Sequence, residues 1–155
     1  MKKKITVKVP AGIATGMTLR VSNGGDLGNN GGGYGDLFIE IHVKKHKVFQ
    51  RDGDNLLIDM PISFATAALG AQIKVPNILK EELDLTITKG TQYGAVFPVK
   101  GQGMPKIGKK GFGDLLVNVK IEVPKKLNQR QKELLEEFEK ESEQTNKSFF
   151  EKVFK

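Results

Sequence analysis

Cysteine is absent from the sequence, which excludes disulfides, thiolate nucleophiles, iron–sulfur clusters and cysteine-based zinc sites together. No run approaches the ~20 apolar residues that span a bilayer. Met1 is followed by Lys2, Lys3 and Lys4, then by alternating Ile5, Val7 and Val9, so an apolar signal core is missing too. A cytoplasmic protein with no membrane partner is the expectation, and the glycosylation-like Asn146, Lys147, Ser148 is then idle. No Ser-His-Asp or similar constellation suggests itself, so no enzyme and no catalytic residue is expected.

What the sequence does have is 155 residues, 38% of them apolar and 28% charged, with a net charge of +7. That is too apolar for a disordered chain, and the length suits one compact domain or two small ones. Glycine is in excess, 18 residues, and clustered: nine lie between Gly12 and Gly35 and seven between Gly90 and Gly113.

Two clusters of similar shape indicate a repeat. Sliding the chain by 78 positions superposes Gly12 on Gly90, Gly16 on Gly94, Val21 on Val99, Gly25 on Gly103, Gly33 on Gly111, Gly35 on Gly113, Asp36 on Asp114 and Leu37 on Leu115. Apolar positions coincide as well: Ile5 with Leu83, Val7 with Leu85, Val9 with Ile87, Ile39 with Val117 and Ile41 with Val119. Each copy reads as β. Alternation at Ile5–Val9 and at Leu37–Val43 has the period of half-buried strands, with turns at Gly12–Gly16 and a Gly24–Gly35 loop between them. The second copy repeats this at Leu83–Ile87 and Leu115–Ile121.

The second unit begins at Lys47 and adds a strand at Leu56–Met60, a short helix and a strand at Gln72–Val75. The helix has a cap at Ser63, a face of Phe64, Ala67 and Ala68, and a stop at Gly70. Shifted back by 78, this stretch falls before Met1, so the first unit is expected to lack its front and the chain to be a fragment. After Pro124, Asn128 and Gln131 form a capping box opening a helix of three to four turns, with Leu134, Leu135 and Phe138 on one face. Phe149, Phe150, Val153 and Phe154 form a second amphipathic turn. The expected class is mainly β: two tandem homologous, sandwich-like subdomains, the first truncated, each with at most a short helix, plus a C-terminal α-helix. The boundaries are 1–46, 47–124 and 125–155.

Three groups invite a chemical reading. Gly103 to Lys110 is one residue from a phosphate loop, but Lys110 replaces the magnesium-binding hydroxyl and a strand follows where a helix is needed, so it reads as a basic β-loop. His42 and His46 have a zinc spacing only on a helix; on a strand they lie roughly 13 Å apart, as surface imidazoles. Asp36 and Asp114 occupy equivalent turns, where satisfying backbone donors at a strand start is the simpler role. The lysines could follow a phosphate backbone, but the basic loops lack interleaved aromatics, so a solvated basic surface is favoured over a nucleic-acid partner.

The phrases VKVPAGIATGMTLRVSNGG (Val7 to Gly25), GYGDLFIEIHVKKHKVFQRDGDNL (Gly33 to Leu56), FATAALGAQIKVP (Phe64 to Pro76), VKGQGMP (Val99 to Pro105) and LNQRQKELLEEF (Leu127 to Phe138) together resemble the C-terminal substrate-binding region of DnaJ-type J-domain co-chaperones. The resemblance runs in order along essentially the whole chain. It implies a non-enzyme that holds unfolded polypeptide clients, delivers them to a DnaK-type chaperone and forms a homodimer. The family's His-Pro-Asp tripeptide, Gly/Phe-rich linker and Cys-x-x-Cys-x-Gly-x-Gly repeats are absent here. No cofactor is therefore expected in this chain, and any zinc belongs to the parent protein, upstream, where the family inserts its zinc module just before the strand resembling Ile5 to Val9. Matched motif to motif, the client groove retains Ile5 and Ile39, with Val7 as a neighbour on the Ile5 face; the alternative is that these are ordinary core residues. Leu134, Leu135 and Phe138 are the implied dimerisation face, with Phe149, Phe150 and Phe154 as an auxiliary. The competing class is a basic β-module that binds nucleic acid or an acidic protein partner.

Overall fold

The structure is a computed structural model of the chain and describes residues 4–22, 35–142 and 145–154. Met1 to Lys3 and all of the expected Gly24–Gly35 loop except Gly35 lie outside the described residues. The fold is mainly β, 35% strand and 20% helix. Two compact units are present, Met1–Glu122 and Val123–Lys155.

In the first unit, β1 (Thr18–Val21) and β2 (Leu37–Glu40) form an antiparallel two-stranded sheet. A four-stranded sheet has the order β3 (Phe49–Asp52), β4 (Asn55–Ser63), β8 (Leu115–Glu122), β7 (Val96–Val99). Its central pair, β4 and β8, is parallel, and the outer pairs are antiparallel. A second hairpin joins β5 (Ala71–Pro76) to β6 (Glu82–Ile87). Alternation along β8 buries Leu115, Val117 and Val119. These residues cluster with Leu56 and Ile58 of β4, Val75 of β5 and Leu85 and Ile87 of β6. The core therefore sits where the four-stranded sheet meets the β5–β6 hairpin.

The short helix α1 (Phe64–Leu69) starts where expected: Ser63 Oγ accepts from Thr66 N at 3.1 Å, and Gly70 closes the helix at φ +78°. Its inward face is narrower than the sequence suggests. Only Ala67 is buried, while Phe64 and Ala68 are exposed, because six residues make fewer than two turns and one small side chain fills the contact with β4 and β8.

The duplication is visible in hydrogen bonding. The pairing of Thr18 with Glu40 through Val21 with Leu37 recurs, shifted by 78, as Val96 with Asn118 through Val99 with Leu115. Gly16 N donates to Ile41 O at 2.9 Å, and its counterpart Gly94 N donates to Val119 O at 2.8 Å. Two expectations fail in the first copy. Residues 4–10 form no strand, although their counterparts form β6, and β2 ends at Glu40, short of Val43. Both have one cause: a strand needs a neighbour. β6 is held by β5 and β8 by β4, and the counterparts of β4 and β5 fall before Met1. Strand β3, which the sequence reading did not foresee, is an edge held only by β4.

The second unit contains α2 (Gln129–Glu141) and α3 (Thr145–Phe154). Asn128 Oδ1 accepts from Gln131 N at 2.7 Å, and Gln131 Oε1 accepts in return from Asn128 N at 3.0 Å. The capping box is formed, satisfying two donors that a helix start otherwise leaves open.

Candidate functional site

The β1–β2 hairpin has one apolar face, built from Met17, Leu19, Val21, Leu37, Ile39 and Ile41, all half-buried. Leu19 and Ile39 are direct cross-strand partners. In the second copy the counterpart of Ile39 is Val117, which is 0% exposed. The difference is the neighbouring strand: β4 runs beside β8 with Ile58 opposite Val117, whereas no strand lies on the outer side of β2 among the described residues. Leu37–Glu40 is thus an edge with unpaired backbone groups beside an uncovered apolar face, the arrangement to which an extended peptide adds as a further strand.

Ile5 and Val7 are alternate residues of the extended segment 4–10 and are both half-buried. Their counterparts Leu83 and Leu85 join the core. Ile5, Val7 and Ile39 themselves do not: none enters the buried cluster.

The polar groups around the hairpin are structural. Arg20 of β1 reaches Asp36 at the start of β2, with Nε donating to Oδ2 at 2.6 Å. This corrects the reading of Asp36 as a backbone acceptor, since a guanidinium faces it. The repeat counterpart of Arg20 is Pro98, which cannot make such a pair. Asp114 does follow the expectation, accepting from Gly101 N at 3.1 Å. His42 and His46 are both exposed. His46 also has a role that spacing did not reveal: its Nδ1 accepts from Val48 N at 3.0 Å and Phe49 N at 3.2 Å, closing the turn into β3. No group of three or more His, Asp or Glu able to hold a metal occurs among the described residues. The phosphate-loop-like stretch is a hairpin loop, closed by Lys106 N donating to Gly111 O at 3.0 Å and by a bridge between Pro105 and Phe112.

Arg51 is the residue the sequence reading missed. From β3 its guanidinium donates to Ile13 O at 2.6 Å, Gly12 O at 2.5 Å and Gly53 O at 2.8 Å. It thereby ties the turn that opens the first copy to the sheet of the second. Gly12, at φ +84°, packs so tightly that a Cβ would overlap the Pro105 carbonyl. The nearest sequence signal was the Arg-Asp-Gly run at Arg51 to Gly53, which reads as an ordinary turn.

In the second unit Leu134, Leu135 and Phe138 on α2 are exposed by 46, 39 and 50%. Phe149, Phe150, Val153 and Phe154 on α3 are exposed too, and the Phe150 and Phe154 rings lie 4.5 Å apart. No helix among the described residues is long and apolar enough to cross a membrane.

An open-edged β-repeat followed by a helical unit with exposed apolar faces defines a class of binding scaffold. Comparison with known proteins gives the family. The model of the DnaJ C terminal domain matches residues 1–124, and that of the Chaperone protein DnaJ C-terminal region matches 130–154. The chain is 48% identical over 137 residues to Chaperone protein DnaJ of Protochlamydia amoebophila, covering 88% of this chain and 36% of that protein. To the protein of the same name from Ruminiclostridium cellulolyticum it is 46% identical over 155 residues, covering 97% of this chain and 41% of the relative. The chain belongs to the DnaJ C-terminal domain family of chaperones, and it spans about two fifths of the length of the curated relatives it matches.

Proposed function

We propose that this chain is the client-holding and dimerisation part of a DnaJ-type co-chaperone, which captures non-native polypeptides and delivers them to a DnaK-type chaperone in the cytoplasm. The observation that carries the reading is the open β2 edge beside a half-buried apolar face. Backbone pairing at an edge ignores client sequence, and an apolar groove selects only for hydrophobic side chains. Ile5, Val7 and Ile39 supply that groove. Each Leu-sized side chain buried there contributes about 1.5–3 kcal/mol, which suits weak and reversible capture. The reading involves no catalytic step and no cofactor in this chain.

In this division residues 1–46 hold the client, 47–124 form the supporting β-subdomain and 125–155 dimerise through Leu134, Leu135 and Phe138, aided by Phe149, Phe150 and Phe154. Pairing two weak sites raises avidity for a long unfolded chain. The test is titration with a permanently unfolded model polypeptide and with an oligonucleotide, each at two salt concentrations. Binding of the polypeptide that is weakened about tenfold by Ile39→Asp supports the reading. Binding of the oligonucleotide alone, with a steep salt slope, overturns it. Light scattering on this chain and on one ending at Pro124 tests the dimer, and a monomeric mass for both rejects it.

A further inference from the structure

A second cleft, of about 930 Å³, opens where the turns at the far end of the β1–β2 hairpin face the four-stranded sheet. Its walls are tied together. Thr15 Oγ1 accepts from Val43 N at 2.8 Å, and the Arg51 fork clamps the Gly12 and Ile13 carbonyls. Apolar side chains line part of it, among them Val43, Val48 and Leu57. Lys44, Lys45 and Lys47 also line it, and none of the three makes an ion pair among the described residues. Asp59 is the only carboxylate in the lining.

One polar atom decides what kind of anion suits the cleft. Asn118, which lines it from β8, donates from Nδ2 to Asp59 Oδ1 at 3.2 Å. Its own Oδ1 is buried and meets no donor among the described residues. A buried acceptor left open costs free energy until a donor reaches it. The cleft therefore combines free ammonium donors, apolar lining and an acceptor awaiting an N–H. Phosphate and nucleic-acid backbones bring negative charge but no donor, and Asp59 repels them. A peptide brings an N–H at every non-proline residue.

We propose that this cleft binds an extended acidic peptide, with carboxylates on Lys44, Lys45 and Lys47, an apolar side chain on Val48 and Leu57, and a backbone N–H donated to Asn118 Oδ1. The site is separate from the β2 edge and does not depend on the client-holding reading. Charge on the rim accelerates encounter, and the apolar and Asn118 contacts set the register. Affinity consequently falls with salt, because the lysines are at the surface.

The test uses the full chain and a fluorescein-labelled nonapeptide with Leu at every third position and Glu or Asp elsewhere. A matched peptide carries Gln and Asn in place of the acids. Anisotropy is measured at about 50 and about 300 mM salt. The expected result is binding of the acidic peptide that is about tenfold tighter than that of the amide peptide at low salt, and weakened similarly by the combined Lys44→Gln, Lys45→Gln, Lys47→Gln substitution. Asn118→Leu lowers affinity for both peptides, and the Ile39→Asp variant leaves acidic-peptide binding unchanged. Equal affinity of the unsubstituted chain for the two peptides overturns the proposal without reliance on any variant. So does displacement of the acidic peptide by an oligonucleotide at equal concentration, or its loss in Ile39→Asp together with loss of the unfolded polypeptide, which would place both ligands at the β2 edge.

Discussion

The two copies of the repeat share a hairpin but not a surrounding. β1–β2 and β7–β8 pair in the same register, yet Val117 is closed in the core and Ile39 is half-exposed. The sequence of the hairpin itself does not cause the contrast, since both positions are β-branched and both lie on the inward face. It arises from what lies beside the strand: β4 and the β5–β6 hairpin cover one copy, and the other keeps its edge. Pairing within a hairpin is local, whereas burial depends on strands supplied from elsewhere in the chain. One pattern can thus build a core in one place and an accessible apolar surface in another.

The largest expected effect tests that contrast directly. Val117→Asp buries a carboxylate with no partner and is expected to cost at least about 4 kcal/mol, enough to unfold the first unit or bring it close to unfolding. The same change at Ile39 keeps the carboxylate near water and is expected to cost about 1–2 kcal/mol. Thermal and urea melts followed by circular dichroism compare the two. Equal losses would mean that the first copy has a closed core of its own.

A second pair of equivalent positions separates the copies by packing against backbone. Gly12 and Gly90 have φ of +84° and +78°, so both avoid a side chain for conformational reasons. Around Gly90 there is open space, and Gly90→Ala is expected to cost about 1 kcal/mol. At Gly12 the added methyl meets the Pro105 carbonyl and presses on the junction that Arg51 clamps. A loss of about 3 kcal/mol is expected there. Similar melting temperatures for the two variants would show that the junction yields easily.

The repeat explains why some of this was legible and some was not. Period-two alternation and the glycine pairs specify which residues face inward and where turns fall, and these are local properties. The Ser63 and Asn128 caps are equally local, involving partners three residues away. Residues 4–10 failed to become a strand for a non-local reason, since alternation carries no information about whether a neighbour exists. Arg51 and His46 went unrecognised for a related one. Arg51 acts on carbonyls 38 and 39 residues away, and His46 acts through a turn whose geometry depends on where β3 docks. In the candidate groove, the apolar character of Ile5, Val7 and Ile39 was readable, whereas the open edge that makes Ile39 accessible follows only from the sheet order.

A smaller effect is expected at the ion pair that only the first copy contains. Arg20 and Asp36 join the ends of β1 and β2, but the arginine is 65% exposed, so screening by water leaves it worth about 0.5 kcal/mol. Arg20→Gln should lower the melting temperature slightly, and less still at high salt. Asp114→Ala, which removes the acceptor of Gly101 N from the second copy, should cost more, about 1 kcal/mol. A reversed order would mean that the uncovered hairpin relies on its ion pair to hold register.

The smallest effect concerns the β5–β6 hairpin, the element whose counterpart the first copy does not have. Lys74 and Asp84 are direct cross-strand partners and form an ion pair on its exposed face. The hydrogen bond to Asp84, reinforced by its charge, raises the Lys74 pKa above the ordinary lysine value, against a small opposing effect of desolvation. A raised folded-state pKa stabilises the fold at every pH below the unfolded lysine value, and this contribution is lost as pH rises through the folded one. The pair should therefore be fully present at neutral pH and disappear only in strongly alkaline solution. Following the Lys74 Cε resonance by NMR should show it titrating after the other lysines, and Asp84→Asn should bring it back among them. If Lys74 titrates with the rest in the unsubstituted chain, the two strands are held by backbone pairing and by Val75, Leu85 and Ile87 in the core without help from this pair.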